Sequence, residues 1–512
     1  MCGIGCVKVK ILSEKSLAKV KTMIIKTNSR GEDAFGIIIV KKNGHSITYK
    51  VPISIVEACQ LQPWKDVFGL IEEGDFIMWN CRAQPLTEIT SDNDDLTIQP
   101  IHRDGFIVSH NGVVSNDKEL IKDEELEPET KIDSEIPFLL YKKYGSVKEA
   151  FSKCSGGFAY LMYNIAADRL DIIKDFKTLV YGESEELIFV VSEESFIKDM
   201  FNTFVWREVP PYTNITIDFK NNVSTKESIK TKITSSLPDV DDNKILVCAS
   251  GGIDSTTAAY IAKNLWGMEV FLCHINHGQK SEYGEQKAFR GIAKELGAET
   301  IILDATWLGD LGASVLTDSK IEVPKANHQN LKSTVCWTPA RNLTMIAMLV
   351  SIAEAYGIKW ITAGWTLEEE GSYPDNSIMF FKKFNELTEY GTLSRPKLIM
   401  PLERLMKTEI IQLGSDLGVP YELTYSCDNE PKNGIACGLC GACTLRRMAF
   451  EKAGIEDKTK YKSDWKEQYV PPWLNDKMRP PRHSVEAIKN RIIAPKSTEK
   501  DYKICISNHY LI

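Results

Sequence analysis

The first part of the chain alternates short apolar runs with turn residues. Ile37-Ile38-Ile39-Val40, Phe76-Ile77-Met78-Trp79, Phe106-Ile107-Val108, Phe158-Ala159-Tyr160-Leu161, Ile188-Phe189-Val190-Val191 and Ile215-Thr216-Ile217 are all of this kind. They are rich in β-branched and aromatic residues, which predicts strands. Helical patterns over residues 16–27 and 135–144 fall between them. Residues 1–222 therefore read as a mixed α and β domain, with stacked sheets as one arrangement.

The pattern changes at residue 223. Residues 223–243 are polar and predict a linker, with an exposed edge hairpin as the alternative. Beyond them Ile245-Leu246-Val247-Cys248-Ala249 leads into a glycine loop and a helix. Val270-Phe271-Leu272-Cys273-His274 follows, then a helix over 283–296 and a strand over 300–303. Strands alternating with helices predict a parallel, doubly wound sheet. This second domain is expected over 244–465. Residues 466–512 read as a Pro-rich, moderately basic tail, with Pro471, Pro472, Pro480 and Pro481 near its start.

Composition narrows the class. A 512-residue chain has room for two to four domains, at about 100–200 residues each. At 43% hydrophobic and 26% charged it is not disordered, collagenous or coiled-coil. A net charge of −8 argues against a generally basic nucleic-acid coat. Lysines interrupt every apolar run of the first thirty residues, so no signal core is expected. The most apolar helical stretch, 345–356, falls short of the ~20 residues of a membrane span and carries Glu354. The expectation is a soluble, cytoplasmic protein with no membrane partner. Its 13 cysteines then serve as nucleophile, metal ligands or core rather than as disulfides.

Chemistry begins at Met1-Cys2-Gly3. Removing the initiator Met would leave Cys2 with a free α-amine. An α-amine has a pKa of about 7.7–8 and can act as base for its own thiol. Further on come Ser29-Arg30-Gly31-Glu32-Asp33, Trp79-Asn80-Cys81-Arg82, Gln99-Pro100, Ser109-His110-Asn111-Gly112, Asp133-Ser134-Glu135 and Gly156-Gly157-Phe158-Ala159. This order resembles the class II glutamine amidotransferases, which are N-terminal-nucleophile hydrolases of αββα architecture. The resemblance implies that Cys2 attacks the glutamine amide. Asn111 and the Gly112 N–H would form the oxyanion hole. Arg82 would hold the α-carboxylate of glutamine, and Asp133 or Glu135 its α-amine. Arg30 and Asp33 would support the site, and His110 would be structural.

Ser250-Gly251-Gly252-Ile253-Asp254-Ser255-Thr256 joins a strand to a helix. Glycines let backbone approach phosphate, and a helix N-terminus with hydroxyls donates to it. No Gly-Lys-[Ser/Thr] is present, so this is not the common P-loop. It resembles the loop of the adenylating ATP pyrophosphatases, whose domain is adenine nucleotide α-hydrolase-like. ATP is the implied cofactor, with Asp254 in a magnesium or loop-fixing role.

Cys427, Cys437, Cys440 and Cys443 are spaced C-x9-C-x2-C-x2-C. Four thiolates at such spacing suit a closed tetrahedral zinc site; a 4Fe–4S cluster is the rival. The surrounding residues include His277-Gly278-Gln279-Lys280, Thr338-Pro339-Ala340-Arg341-Asn342, Tyr373-Pro374-Asp375 and Thr424-Tyr425-Ser426-Cys427. Over residues 243–461 they resemble 7-cyano-7-deazaguanine synthases. That family adenylates 7-carboxy-7-deazaguanine, aminates it to an amide and dehydrates the amide to a nitrile. Arg341, Tyr373 and Asp375 are the implied substrate contacts. The family's Tyr-Gly-Gln-Arg is His-Gly-Gln-Lys here, and Glu368-Glu369-Glu370 also departs from its pattern.

The whole chain thus resembles the fused amidotransferase–synthase proteins. Three products fit: the nitrile from the carboxylate; an archaeosine-type formamidine from a nitrile in tRNA or DNA; or a defence-associated ligation to another amine. The intact phosphate loop favours an ATP-using reaction. From Lys477 to Lys500, the seven basic residues Lys477, Arg479, Arg482, Lys489, Arg491, Lys496 and Lys500 stand against Glu486 and Glu499. That reads either as a nucleic-acid contact or as a solvated helix face. A homo-oligomer is compatible with everything above.

Overall fold

Ile37, Ile38, Ile39 and Val40 are all buried because their strand has a packed layer on each face. The computed structural model describes residues 2–83, 96–202, 205–229, 237–312, 314–326, 336–366, 374–429, 435–463, 480–492 and 494–495. The chain divides into two units, residues 1–235 and 236–512.

The first unit holds strands β1 (Gly3–Val9), β2 (Ala34–Val40), β3 (Ser46–Val51), β4 (Phe76–Arg82), β5 (Ile101–Arg103), β6 (Phe106–Val114), β7 (Gly156–Asn164), β8 (Arg169–Lys174), β9 (Val180–Glu183), β10 (Leu187–Val191), β11 (Trp206–Glu208), β12 (Thr213–Asp218) and β13 (Val223–Ser228). Among the described residues they form two antiparallel sheets, ordered β11-β9-β10-β1-β4-β2-β3 and β13-β12-β8-β7-β6-β5. Successive side chains of a strand point to opposite faces. Ile4, Ile38 and Met78 of the first sheet accordingly meet Ile107, Leu161 and Ile172 of the second. Ile37 and Trp79 face outward, onto Val20, Met23 and Ile24 of the helix Glu14–Lys26. Tyr160 and Met162 of the second sheet pack on Phe138 and Leu140 of Ile136–Tyr144 and on Phe151 of Val147–Lys153. Each fully buried side chain of this size contributes about 1.5–3 kcal/mol. The result is a four-layer αββα domain of the N-terminal-nucleophile hydrolase kind.

The second unit is built on β14 (Asp241–Cys248), β15 (Glu269–Asn276), β16 (Glu299–Asp304), β17 (Ile358–Ala363) and β18 (Lys397–Leu398). They are parallel and ordered β16-β15-β14-β17-β18. On one face Ile245, Val247 and Leu272 pack with Ala258, Phe289 and Ile410. On the other, Leu246, Phe271 and Ile361 pack with Ile346, Leu349 and Phe381. The order reverses between β14 and β17, and in such sheets the ligand crevice lies beyond the C-terminal strand ends at that point.

Residues 223–228, read as linker with an exposed edge hairpin as the alternative, take the alternative: they are β13 and pair with β12 along their length. Every residue of β13 is exposed, which explains a polar strand with no apolar alternation. The strand into the phosphate loop likewise begins at Asp241 rather than 244. The described part of the tail is not free. The helix Val485–Lys489 buries Ile488 completely in the core of the second unit. Glu409 accepts from the Arg482 N–H at 3.1 Å and pairs with His483 Nδ1 at 2.9 Å. No helix among the described residues is long and apolar enough to cross a membrane.

Candidate active sites

Cys2 immediately precedes β1, whose partner β4 ends at Arg82; Gly3 pairs with Cys81, which brings Arg82 alongside. Cys2 is partly buried, and its Sγ lies 3.7 Å from the Ala83 carbonyl oxygen. Burial pushes its thiol pKa up, the Ala83 contact and nearby Arg82 oppose this, and Asp133 adds to it. Arg82 is buried. Its carbonyl accepts from the Asp33 N–H at 3.0 Å. Arg30 donates from Nε to the Cys2 carbonyl at 3.4 Å and pairs with Glu193. Arg30 and Asp33 thus brace the backbone at Cys2 and Arg82.

Asn80 Nδ2 of β4 donates to Ser109 Oγ at 3.2 Å and to the His110 carbonyl at 3.3 Å, tying β4 to β6 beside Asn111. Asn111 is fully buried, and neither atom of its amide has a hydrogen-bond partner. A buried unpaired amide costs about 1–3 kcal/mol per group. Gly112 has φ +146°, a region only glycine occupies readily. His110 pairs through Nδ1 with Ser134 Oγ at 2.9 Å. Burial, helped by Lys177, pushes its pKa down to about 3, so the ring is neutral.

The two acidic candidates part company. Glu135 is held by Arg103, by the Thr130 hydroxyl at 2.7 Å, and by the N–H groups of Glu129 at 3.0 Å and Thr130 at 2.7 Å. Its carboxylate is engaged within its own loop. Asp133 accepts the Val114 N–H at 2.6 Å and a longer bond from the Ser134 hydroxyl at 3.4 Å. Burial pushes its pKa up to about 6, against the Val114 N–H and with Asp117 adding.

In the second unit, Ser250 Oγ accepts from the Gly252 N–H at 3.3 Å and lies 3.3 Å from Ser255 Oγ. Gly251 has φ +79°, and a Cβ there would lie 2.7 Å from that of Ala288. Its carbonyl accepts from the Tyr425 N–H at 2.9 Å. Asp254 pairs with Lys407 at the start of the helix Lys407–Asp416, leaving Oδ1 unpartnered. Thr256 Oγ1 is buried and unpartnered as well. Lys407 carried no sequence signal, since nothing in its surroundings marks it apart from other surface lysines.

Arg341 opens the helix Arg341–Ala355, and Asp375 lies in the turn Pro374–Asn376. Asn342 Nδ2 donates to Asn376 Oδ1 at 2.7 Å, joining the two segments. Burial pushes the Asp375 pKa up while Arg341 pulls it down. Tyr373 lies outside the described residues, as do Glu368, Glu369 and Glu370.

The sulfurs of Cys427, Cys437, Cys440 and Cys443 all lie within 4.8 Å of one another. Tetrahedral thiolates on a metal with bonds of about 2.3 Å stand about 3.8 Å apart, and Cys437 and Cys443 are 3.9 Å apart. Backbone N–H groups of Leu439 and Cys440 donate to Cys437 Sγ at 3.4 and 3.3 Å, and that of Cys437 to Cys427 Sγ at 3.3 Å. Such donors favour thiolates. The cage fits a metal. Among the described residues every other cysteine is free, and Cys6, Cys81, Cys154 and Cys273 are buried core.

These two constellations define a glutamine amidotransferase domain joined to an ATP-using synthase domain. A family model described as Queuosine biosynthesis protein QueC matches residues 244–454, and one described as Glutamine amidotransferase domain matches 87–199. The chain is 34% identical over 484 residues to the 7-cyano-7-deazaguanine synthase of Saccharolobus solfataricus, spanning 90% of this chain and 99% of that protein. It is 32% identical over 466 residues to that of Sulfolobus acidocaldarius, spanning 88% and 96%. It is 40% identical over 224 residues to that of Nitratiruptor sp., spanning 43% and 99%. The chain belongs to the 7-cyano-7-deazaguanine synthase family of enzymes, in a form fused to a glutamine amidotransferase domain.

Proposed function

We propose that the chain aminates a 7-deazaguanine with glutamine and ATP, converting 7-carboxy-7-deazaguanine to 7-cyano-7-deazaguanine. The observation that carries this reading is the set of Cys2, Arg82, Asn111, Gly112 and Asp133, with Arg82 and Asn111 buried, on the same chain as the phosphate loop.

With Met1 removed, the Cys2 α-amine takes the thiol proton and the thiolate attacks the side-chain amide carbon of glutamine. Asn111 Nδ2 and the Gly112 N–H receive the developing oxyanion, which gives the unpartnered Asn111 amide its ligand. Arg82 pairs with the α-carboxylate. Asp133, rather than the caged Glu135, pairs with the α-ammonium. Ammonia leaves, and water releases glutamate from the thioester.

In the second unit a carboxylate oxygen of the base attacks the α-phosphorus of ATP and pyrophosphate leaves. Ammonia displaces AMP to give the amide, and a second ATP drives loss of water to the nitrile. Ser250, Gly251, Gly252, Ser255 and Thr256 cradle phosphate; the unpartnered Thr256 hydroxyl is free to donate. The free Oδ1 of Asp254 fits a magnesium ion, which would neutralise phosphate charge. Arg341 and Asp375 border the base. Zinc on the four cysteines serves structure, since all four positions are protein thiolates. Ammonia is mostly protonated at neutral pH and ammonium is no nucleophile, so making it on the same chain raises the useful concentration.

The tail bears on the formamidine alternative. Lys489 pairs with Asp416, and Arg491 donates to His483 Nε2 at 2.9 Å. Of these two charges that of Lys489 is neutralised within the chain, while Arg491 keeps its charge; the pairing of Lys489 leaves one basic residue fewer for nucleic acid. The test supplies amide-labelled glutamine and Mg-ATP with the carboxylate base, the nitrile base or nitrile-bearing nucleic acid, read by mass spectrometry. Label in nitrile from the carboxylate base is the expected result. No labelled deazaguanine from any substrate overturns the reading. Cys2→Ala is expected to abolish glutamine use while high ammonium restores product.

A further inference from the structure

Two buried histidines close the C-terminal end of β15, and they differ in kind. His274 has both ring nitrogens engaged, Nδ1 with the Ala249 carbonyl at 3.1 Å and Nε2 with Glu282 at 3.0 Å. His277 is 8% exposed, and neither of its ring nitrogens has a hydrogen-bond partner. A buried polar group without a partner destabilises the fold.

The surroundings of His277 hold it in place without satisfying its ring. Its backbone N–H donates to Gln279 Oε1 at 2.9 Å. Gln279 is itself fixed by Glu282 at 2.8 Å and Glu285 at 3.0 Å. Gly278 has φ +78°, and a Cβ there would lie 3.2 Å from the Thr306 carbonyl oxygen. The ring lies near Arg341. Burial pushes its pKa down to about 3 and Arg341 pushes the same way, against the Ile275 carbonyl, which is outside hydrogen-bond geometry.

A rigid imidazole beside a guanidinium, with a donor and an acceptor both unused, suits a polar heteroaromatic edge better than phosphate. Phosphate offers only acceptors and would leave the acceptor nitrogen of the neutral ring unpaired, and the phosphate loop follows the neighbouring strand β14. We infer that His277 is a specificity-determining residue of the synthase unit, hydrogen-bonding the heterocyclic base beside Arg341 and Asp375. This rests on the proposed amination of a 7-deazaguanine. It also assigns a role to one position where the chain departs from its family, His277 in place of tyrosine.

The test compares full-length wild-type, His277→Phe and His277→Gln chains in the labelled-glutamine assay. KM for the base is expected to rise about tenfold in H277F, the worth of one good hydrogen bond. KM for ATP and glutamine hydrolysis should stay within twofold, and H277Q should recover part of the loss. An unchanged KM for the base in H277F overturns the inference. So does a rise in KM for ATP of similar size, which would place the ring at the nucleotide. A wild-type chain that aminates no deazaguanine overturns the functional reading and this inference with it, and is thereby told apart from the first two outcomes.

Discussion

A Cβ on Gly112 would lie 1.9 Å from the carbonyl oxygen of Gly157, the residue before Phe158, with which Gly112 pairs across β6 and β7. No side chain fits there without separating the strands. Gly112 also has φ +146°, a conformation costing a non-glycine residue about 1–3 kcal/mol. Gly112→Ala is expected to lower the first melting transition by several degrees and reduce glutamine hydrolysis at least a hundredfold, since Asn111 precedes it. Calorimetry and a glutaminase assay read both. Wild-type hydrolysis in a folded G112A chain would remove Gly112 from the oxyanion hole.

Asp133 supplies a pH test. Its folded pKa is raised to about 6 by burial. In the proposed site only the ionised form of Asp133 can pair with the α-ammonium of glutamine. The kcat/KM for glutamine follows the free enzyme, and Asp133 should contribute about a tenfold fall from pH 7.5 to pH 5, on top of the fall set by the Cys2 α-amine. Asp133→Asn should lose most of that activity and abolish the dependence near pH 6. The stability sign is opposite. A raised folded pKa stabilises below the ordinary carboxylate range, and that contribution is lost as pH rises through about 6. At pH 8, D133N should therefore melt no lower than wild type. A D133N chain keeping both activity and pH profile would take Asp133 out of the glutamine site.

What could be read without coordinates was what lies close together in sequence. Ser250 to Thr256 is one continuous turn, so its chemistry is written locally. The four cysteines fall within seventeen residues, and the glycines between them mark the turns. The face-to-face sheets followed from β2 and β4, whose apolar runs admit no solvent face. What could not be read depends on distant partners. β13, polar apart from Val223, is an exposed edge that the sequence admitted only as the alternative to a linker, and its pairing with β12 decides for the hairpin. Glu135 resembled a ligand until Arg103, 32 residues earlier, closed around it. The docked tail rests on the buried Ile488 and on Glu409, neither of which any local pattern announces.

The cysteine cage is expected to hold about one zinc per chain, read by metal analysis. Metal bound there would contribute folding free energy to the C-terminal lobe. Cys437→Ser or a strong chelator should lower the melting transition of the second unit and abolish ATP-dependent amination. Glutamine hydrolysis should survive, because the first unit has its own cores. Iron and sulfide in place of zinc would assign the cage to a cluster.

Arg446 tests what holds that lobe together. It is 2% exposed and pairs with Asp457 at 3.2 Å. It also donates to Thr424 Oγ1 at 2.7 Å, Ser426 Oγ at 3.1 Å and the Tyr421 carbonyl at 3.0 Å. Removing one partner of a buried pair typically costs about 3–5 kcal/mol, because the other charge is left uncompensated. Arg446→Met should cost that much in denaturant unfolding of the second unit. Unchanged stability would show Asp457 to be satisfied by Tyr461, whose hydroxyl donates to it at 2.5 Å.

Gly364 reaches the phosphate loop from the other side of the crevice. A Cβ there would lie 2.5 Å from the backbone nitrogen of Ser255 and 2.8 Å from the Asp254 Cβ. The first atom is backbone and cannot swing aside, so the added methyl must displace the first turn of the helix that carries the proposed phosphate donors. Donor geometry at phosphate is sensitive to shifts of about 1 Å, which can cost a hundredfold in rate. Gly364→Ala should raise KM for ATP and lower the amination rate by at least tenfold. Glutamine hydrolysis should be untouched, which separates a local effect from misfolding. If ATP kinetics in G364A match wild type, the loop is not where ATP binds.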